Sequence, residues 1–332
     1  MSTLKDIAKA AGVSLATASR VLNGGKGISQ KTCDQVLQIA KELNYIPNLS
    51  AKILAGKNSK MIGMIVPEID SNYFAKIIFE VEQQLQKHGY FLLIANTQYK
   101  KEKEIQALNT FCTYNVEGIF LTCTINNDIL DEFSPILKAQ DIPMILLVAR
   151  LHTADYSYIM VDDEAGMTDA IHYLKTKGHN RVGFIGDYIL DTLRNSLFIS
   201  ALKKNGLEPA DNPIYSHPTR RFEQSGYETM KEILKDPNRP SAFLAGYDDI
   251  AIGAMRALDE AGVRVPEDIV IIGNDNVRES PYLHKALTTL SPPVVKMARL
   301  GSEIMLRAVK GEEDGVIHHI SLRPDLIIRE TA

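Results

Sequence analysis

The chain has 332 residues, 45% of them hydrophobic, which is enough for two or three buried cores. Its formal net charge of −4 is unevenly spread: residues 1–60 hold nine Lys or Arg against three acids, whereas residues 61–332 hold 28 against 38. No apolar run approaches the roughly 20 residues that span a bilayer. The first residues lack a secretory pattern, and Cys33, Cys112 and Cys123 carry no metal-binding spacing. These features exclude a membrane protein and a disulfide scaffold, and they fit a cytoplasmic protein with a basic head.

In chain order, residues 1–46 predict three short helices. Leu4, Ile7, Ala8 and Ala11, then Ala18, Val21 and Leu22, then Val36, Leu37, Ala40 and Leu43 follow helical spacing. Thr3 with Asp6, Ser14 and Ser29 are the expected N-caps. Two short helices around Gly12-Val13-Ser14 suit a helix-turn-helix that lays its second helix in the major groove. Leu15, Ala16 and Arg20 would face the bases; Arg20 alone can donate two parallel bonds to a guanine edge. Ser14, Thr17 and Asn23 would hold phosphates. A plain helical bundle with an exposed arginine is the alternative.

From residue 61 the pattern becomes apolar strands alternating with amphipathic helices, the signature of an α/β fold with parallel sheets covered by helices. Strands are expected at 61–67, 90–96, 118–123, 143–149, 158–162, 181–186, 242–246 and 269–273. They divide into two series near residue 157, so two lobes are expected with a ligand between them, beyond the carboxyl ends of the strands. No dinucleotide, P-loop, nucleophile-elbow or HExxH pattern occurs, so no enzyme, cofactor or metal site is expected. Asp162-Asp163 reads as a helix cap in preference to a metal pair.

The helix-turn-helix, followed by Pro47-Asn48-Leu-Ser-Ala51-Lys52-Ile-Leu54-Ala-Gly56, resembles the lactose/galactose-repressor family. The resemblance continues through Ile65-Val-Pro67, Val116-Glu-Gly-Ile119, Lys177-Gly-His-Asn-Arg-Val182, Val265-Pro-Glu-Asp-Ile269, Gly273-Asn-Asp-Asn276 and Leu287-Thr-Thr289. It implies a head (1–46), a hinge (47–60) and a periplasmic-binding-protein-like core. The core would have an N-lobe of 61–157 with 290–317 and a C-lobe of 158–289 with 318–332, ending in one closing strand over 320–329. It also implies a homodimer on palindromic operator DNA, the hinge contributing Asn48, Ala51, Lys52 and Leu54, with Leu54 as a minor-groove wedge. The stretch after Arg329 has no leucine heptads, so a dimer is expected over a tetramer.

For the effector site the resemblance carries over Arg194 and Asp275, expected to face each other across the cleft, the aromatics Tyr73, Phe74 and Phe222, and Arg150. Tyr247 stands where the family has Asn, Ala149 where many members have Asp, and Leu197 replaces a glycine. An arginine and a carboxylate suit a polyhydroxyl ligand, so a repressor of carbohydrate-utilisation genes whose operator affinity is set by a small sugar is the leading expectation, with inducer and corepressor both open. Tyr73-Phe-Ala-Lys-Ile-Ile78 and Asp275-Asn-Val-Arg278 resemble the purine-repressor branch, so a purine stays open. A phosphocarrier co-effector, used by some relatives, also stays open. An exported solute-binding protein without DNA function is the remaining alternative.

Overall fold

The computed structural model describes residues 2–22, 27–45, 58–122, 128–147, 155–189, 191–312 and 315–332. The chain forms two units, Met1–Ser59 and Lys60–Ala332.

In the first unit, α1 (Leu4–Ala10), α2 (Leu15–Leu22) and α3 (Gln30–Glu42) start where side chains satisfy free N–H groups. Thr3 and Asp6 form a reciprocal capping box, Ser14 Oγ accepts from the Thr17 amide at 3.0 Å, and Ser29 Oγ accepts from that of Thr32 at 3.3 Å. Ile7, Ala8, Ala11, Ala18, Val21, Val36 and Ala40 make the core. Leu37 and Leu43, which share the helical spacing, are exposed. On α3 the buried stripe runs through Val36 and Ala40, flanked by Cys33 and Ile39, and helical periodicity turns Leu37 away from it.

The second unit holds two six-stranded sheets. Sheet 1 contains β1 (Met61–Val66), β2 (Phe91–Asn96), β3 (Gly118–Leu121), β4 (Met144–Leu147), β5 (Ser157–Val161) and β11 (His319–Leu322), ordered β11-β5-β4-β3-β1-β2. Sheet 2 contains β6 (Val182–Asp187), β7 (Ile214–His217), β8 (Ala242–Ala245), β9 (Val270–Asn274), β10 (Thr288–Ser291) and β12 (Asp325–Ile327), ordered β12-β10-β9-β8-β6-β7. All described pairings are parallel except β10 with β12. Central strands such as β1, β6 and β8 are buried along their whole length, as parallel strands covered on both faces must be.

The covering helices are α4 (Asn72–Gln86), α5 (Lys101–Thr113), α6 (Asp128–Ala139) and α11 (Val294–Val309) on sheet 1. On sheet 2 they are α7 (Asp163–Thr176), α8 (Asp191–Lys204), α9 (Phe222–Ile233) and α10 (Asp248–Glu260). Each sheet has one apolar core on either face. The helices α9 and α10 cross closely because Gly226 and Gly253 let each backbone rest on the other; a β-carbon on Gly253 would stand 1.8 Å from the Glu223 carbonyl oxygen.

The expected lobe boundaries need correction. β5 belongs to sheet 1, paired with β4 and β11, so the first lobe runs to residue 161, not 157. The expected closing strand over 320–329 is two strands, one in each sheet. Pro324, which cannot donate to a ladder, separates them, and Arg323 forks onto Asp169 of α7 at the crossing. β10 lies in sheet 2, so the return to the first lobe comes after Ser291.

Candidate functional site

On the head, the exposed surface of α2 presents Leu15, Ala16 and Arg20, while Ala18 and Val21 face inward. Ser14 and Thr17 are linked through their hydroxyls at 2.8 Å at the helix start. The candidates Asn23, Asn48, Ala51, Lys52 and Leu54, and Arg150 in the core, lie outside the described residues.

In the core unit, the candidate effector residues gather at the carboxyl ends of both sheets. Arg194, in the first turn of α8, is 7% exposed, and among the described residues its Nε and Nη1 have no hydrogen-bond partner. Its guanidinium lies over the Tyr247 ring with Cζ 5.1 Å from the centroid. Burial works against its charge, while Asp163, Tyr247, Asp275 and Tyr73 sustain it and hold its pKa above the usual arginine value. Asp275 follows β9 and is also buried; desolvation pushes its carboxyl well above the usual range, with Arg194 pulling the other way.

Arg194 and Asp275 therefore both belong to the second lobe and do not face each other from opposite lobes, as the sequence had suggested. Among the described residues no ion pair joins them. A buried donor fork and a buried carboxyl side by side form a hydrogen-bonding edge on one wall of the cleft.

That wall also carries Phe222, at the start of α9, and Tyr247, the N-cap of α10, with ring centroids 6.3 Å apart. Phe222 (φ 52°), Asp275 (φ 113°) and Asn276 (φ 49°) all sit in the left-handed region. Strain of this kind costs about 1–3 kcal/mol per residue and persists where surrounding bonds over-determine the backbone. Asp248, buried, is such a fixture: its carboxylate accepts from the Val277 amide at 2.9 Å and from the Ser280 and Thr289 hydroxyls, bracing the loop that bears Asp275.

The first lobe contributes Tyr73 and Phe74 from the start of α4, edge to face at 5.4 Å. Phe74 belongs to the core of that lobe, so core packing accounts for much of its ring, whereas Tyr73 is half-buried and electrostatically coupled to Arg194. Asp162 caps α7 through the Ala165 amide at 3.0 Å, leaving Asp163 as a carboxylate beside Arg194, a position the sequence did not reveal. Among the described residues no group of three His, Cys, Asp or Glu side chains is arranged for a metal ion, and no helix is long and apolar enough to cross a membrane.

Sequence reasoning also missed the residues that join the lobes. Arg221 donates to Asp187 at 3.1 Å in its own lobe and, with both terminal nitrogens, to Glu68 of the first lobe. Asn72 of the first lobe donates to Asp249 of the second at 3.1 Å. The Arg220-Arg221 doublet before Phe222 was the only signal available.

Residues 3–48 match the family model described as bacterial regulatory proteins, lacI family, and residues 171–332 match the periplasmic binding protein-like domain. The chain is 32% identical over 338 residues to an HTH-type transcriptional repressor PurR of Serratia proteamaculans (strain 568), covering 100% of this chain and 97% of that protein. The crystal structure of the lac repressor dimer bound to operator and the anti-inducer ONPF superposes with a TM-score of 0.86 at 26% identity, covering 99% and 98% of the two chains. A LacI family transcriptional regulator from Enterococcus faecium with bound ribose has the same core fold, with a TM-score of 0.70 at 24% identity over 82% of this chain and 98% of that one. These relatives are regulators and not enzymes, and the chain belongs to the lacI family of DNA-binding transcriptional repressors.

Proposed function

We propose that this repressor changes its operator affinity when a small planar ligand of purine type enters the cleft between the two lobes. The observation that carries this reading is the buried Arg194 fork, with Nε and Nη1 unpartnered among the described residues, set over the Tyr247 ring and beside the Asp275 carboxyl. A flat heterocycle offers faces to Tyr73, Phe222 and Tyr247 and an edge of acceptors and donors to Arg194 and Asp275. A sugar presents hydroxyls around its whole rim, and the family amide that would meet one of them is Tyr247 here. The relationship to repressors named PurR supports the same choice. The sugar expected from sequence is the second reading, favoured by the ribose-bound regulator of like fold.

A thermal-shift screen of the purified protein against purine bases, monosaccharides and disaccharides separates the two, because a ligand that binds only the native state raises its melting temperature with occupancy. Stabilisation by purines alone supports the first reading; stabilisation by sugars alone replaces it with the second.

On the DNA side, the proposal is a cytoplasmic homodimer on a palindromic operator, α2 reading bases through Arg20 while Leu15 and Ala16 make apolar contact. Phe79 on α4 and Phe91 and Ile94 on the edge strand β2 are exposed, an apolar surface that a second copy would cover. Arg20→Ala is expected to weaken specific binding by about 1–3 kcal/mol and to relax one base position. Equal affinity of the intact protein for operator and scrambled duplex would contradict this assignment, and Phe91→Asp should shift the mass in solution toward a monomer.

A further inference from the structure

We infer that Arg221 and Glu68 form the latch that holds the cleft closed, setting how tightly a ligand is retained without touching it; this rests on the cleft being the effector site. Arg221 is the N-cap of α9 in the second lobe, and its guanidinium is held by two residues from each lobe. From its own lobe, Asp187 Oδ2 accepts from Nε at 3.1 Å, and the Phe222 ring lies 4.3 Å from Cζ. From the first lobe, the Glu68 carboxylate accepts from both terminal nitrogens and the Tyr99 ring lies 5.6 Å away.

The arrangement is asymmetric. Asp187 is 2% exposed, and its other oxygen accepts from the Ile189 amide at 3.1 Å, so it fixes the guanidinium within the second lobe in advance. Among the described residues, both hydrogen bonds of the Glu68 side chain come from Arg221. Parting the lobes therefore leaves the Arg221–Asp187 pair intact and releases Glu68 into water. Pre-positioning lowers the entropy lost on closure, and a two-pronged guanidinium–carboxylate contact is the geometry in which a shielded pair repays its desolvation.

The latch is also wired to the ligand walls. Arg221 immediately precedes Phe222, and Asn72, which makes a further lobe-to-lobe bond, immediately precedes Tyr73. Each lobe-crossing bond thus fixes the backbone next to a candidate ligand ring, so closing the lobes sets both rings.

The test uses the full-length protein, with guanine as the probe. Removing Arg221 would leave Asp187 buried without its cation, so Glu68→Ala is the informative variant, with Glu68→Gln as the conservative one. Small-angle scattering should give a larger radius of gyration for E68A than for wild type. Guanine should dissociate about tenfold faster from E68A with little change in association rate, and E68Q should fall between. Raising salt should speed dissociation from wild type but not from E68A. Unchanged scattering together with wild-type guanine dissociation would overturn the latch. If guanine binds neither protein, the purine reading has failed and scattering alone decides: a more open E68A supports the latch, an identical profile rejects it.

Discussion

The two lobes are built to one plan and equipped differently. Their strand orders correspond position for position, down to an edge strand supplied by the tail. Yet the second lobe carries the charged and strained groups of the cleft, namely Arg194, Asp275, Asp163 and the left-handed Phe222, while the first offers rings and one latch carboxylate. Duplicate frameworks need not share the work equally: one lobe can hold the chemistry that recognises a ligand, leaving the other to report closure.

The sharpest way to break this contrast is to exchange the expected consequences. Phe74→Ala in the first lobe should lower unfolding stability by about 3 kcal/mol or more in urea melts, because the ring is part of the core there. A loss of ligand affinity with unchanged stability would place Phe74 in the binding wall instead. Arg194→Ala in the second lobe should do the reverse, weakening the ligand response at least about 100-fold in calorimetry while operator binding persists. Its effect on stability should be small, since removal of two unpartnered nitrogens and loss of the cation that faces Asp163 and Asp275 oppose one another.

A smaller effect is expected at the lobe boundary. Burial, reinforced by Glu223, pushes the Asp249 carboxyl up to about 6. The folded state thus favours its protonated form. The corresponding stability is fully present below the ordinary value of 3.8 and is lost as pH rises through about 6. Asp249→Asn should flatten the dependence of stability on pH across that window and leave the variant up to about 2 kcal/mol more stable at pH 7. An unaltered pH profile would refute this. The smallest change is expected from Tyr73→Phe, which keeps the ring and drops the hydroxyl: affinity should fall only a few-fold, about 1 kcal/mol, with stability unmoved.

Much of this plan was legible in the residues. Caps at Thr3, Ser14, Ser29 and Asp162 were readable because an N-cap is a local bond between neighbours in sequence. Apolar strands such as β1 and β6 were readable because parallel strands covered on both sides are apolar throughout. β7 and β10 were not. The first is a short edge strand with a polar Ser and His, and the second buries threonines whose hydroxyls are satisfied by remote groups, Thr289 by Asp248 and Thr288 by the Arg329 amide. Arg194 and Asp275 were found by resemblance alone, and their presence on one lobe required the topology. Glu68 and Arg221 are 153 positions apart, a distance at which no local pattern speaks.

The crossing at Arg323 and Pro324 bears on how the protein is made. β11 and β12 lie on either side of it, each the outer strand of a different sheet, so residues 319–327 finish both lobes in one short stretch. On the ribosome, neither lobe can mature before the other: β5 and β10 both wait with bare edges until residues 319–327 have emerged. A nascent repressor that has not yet released residues 319–327 is therefore vulnerable to association with its neighbours, and a stop codon ahead of residue 319 would leave two unfinished lobes instead of one intact and one lost.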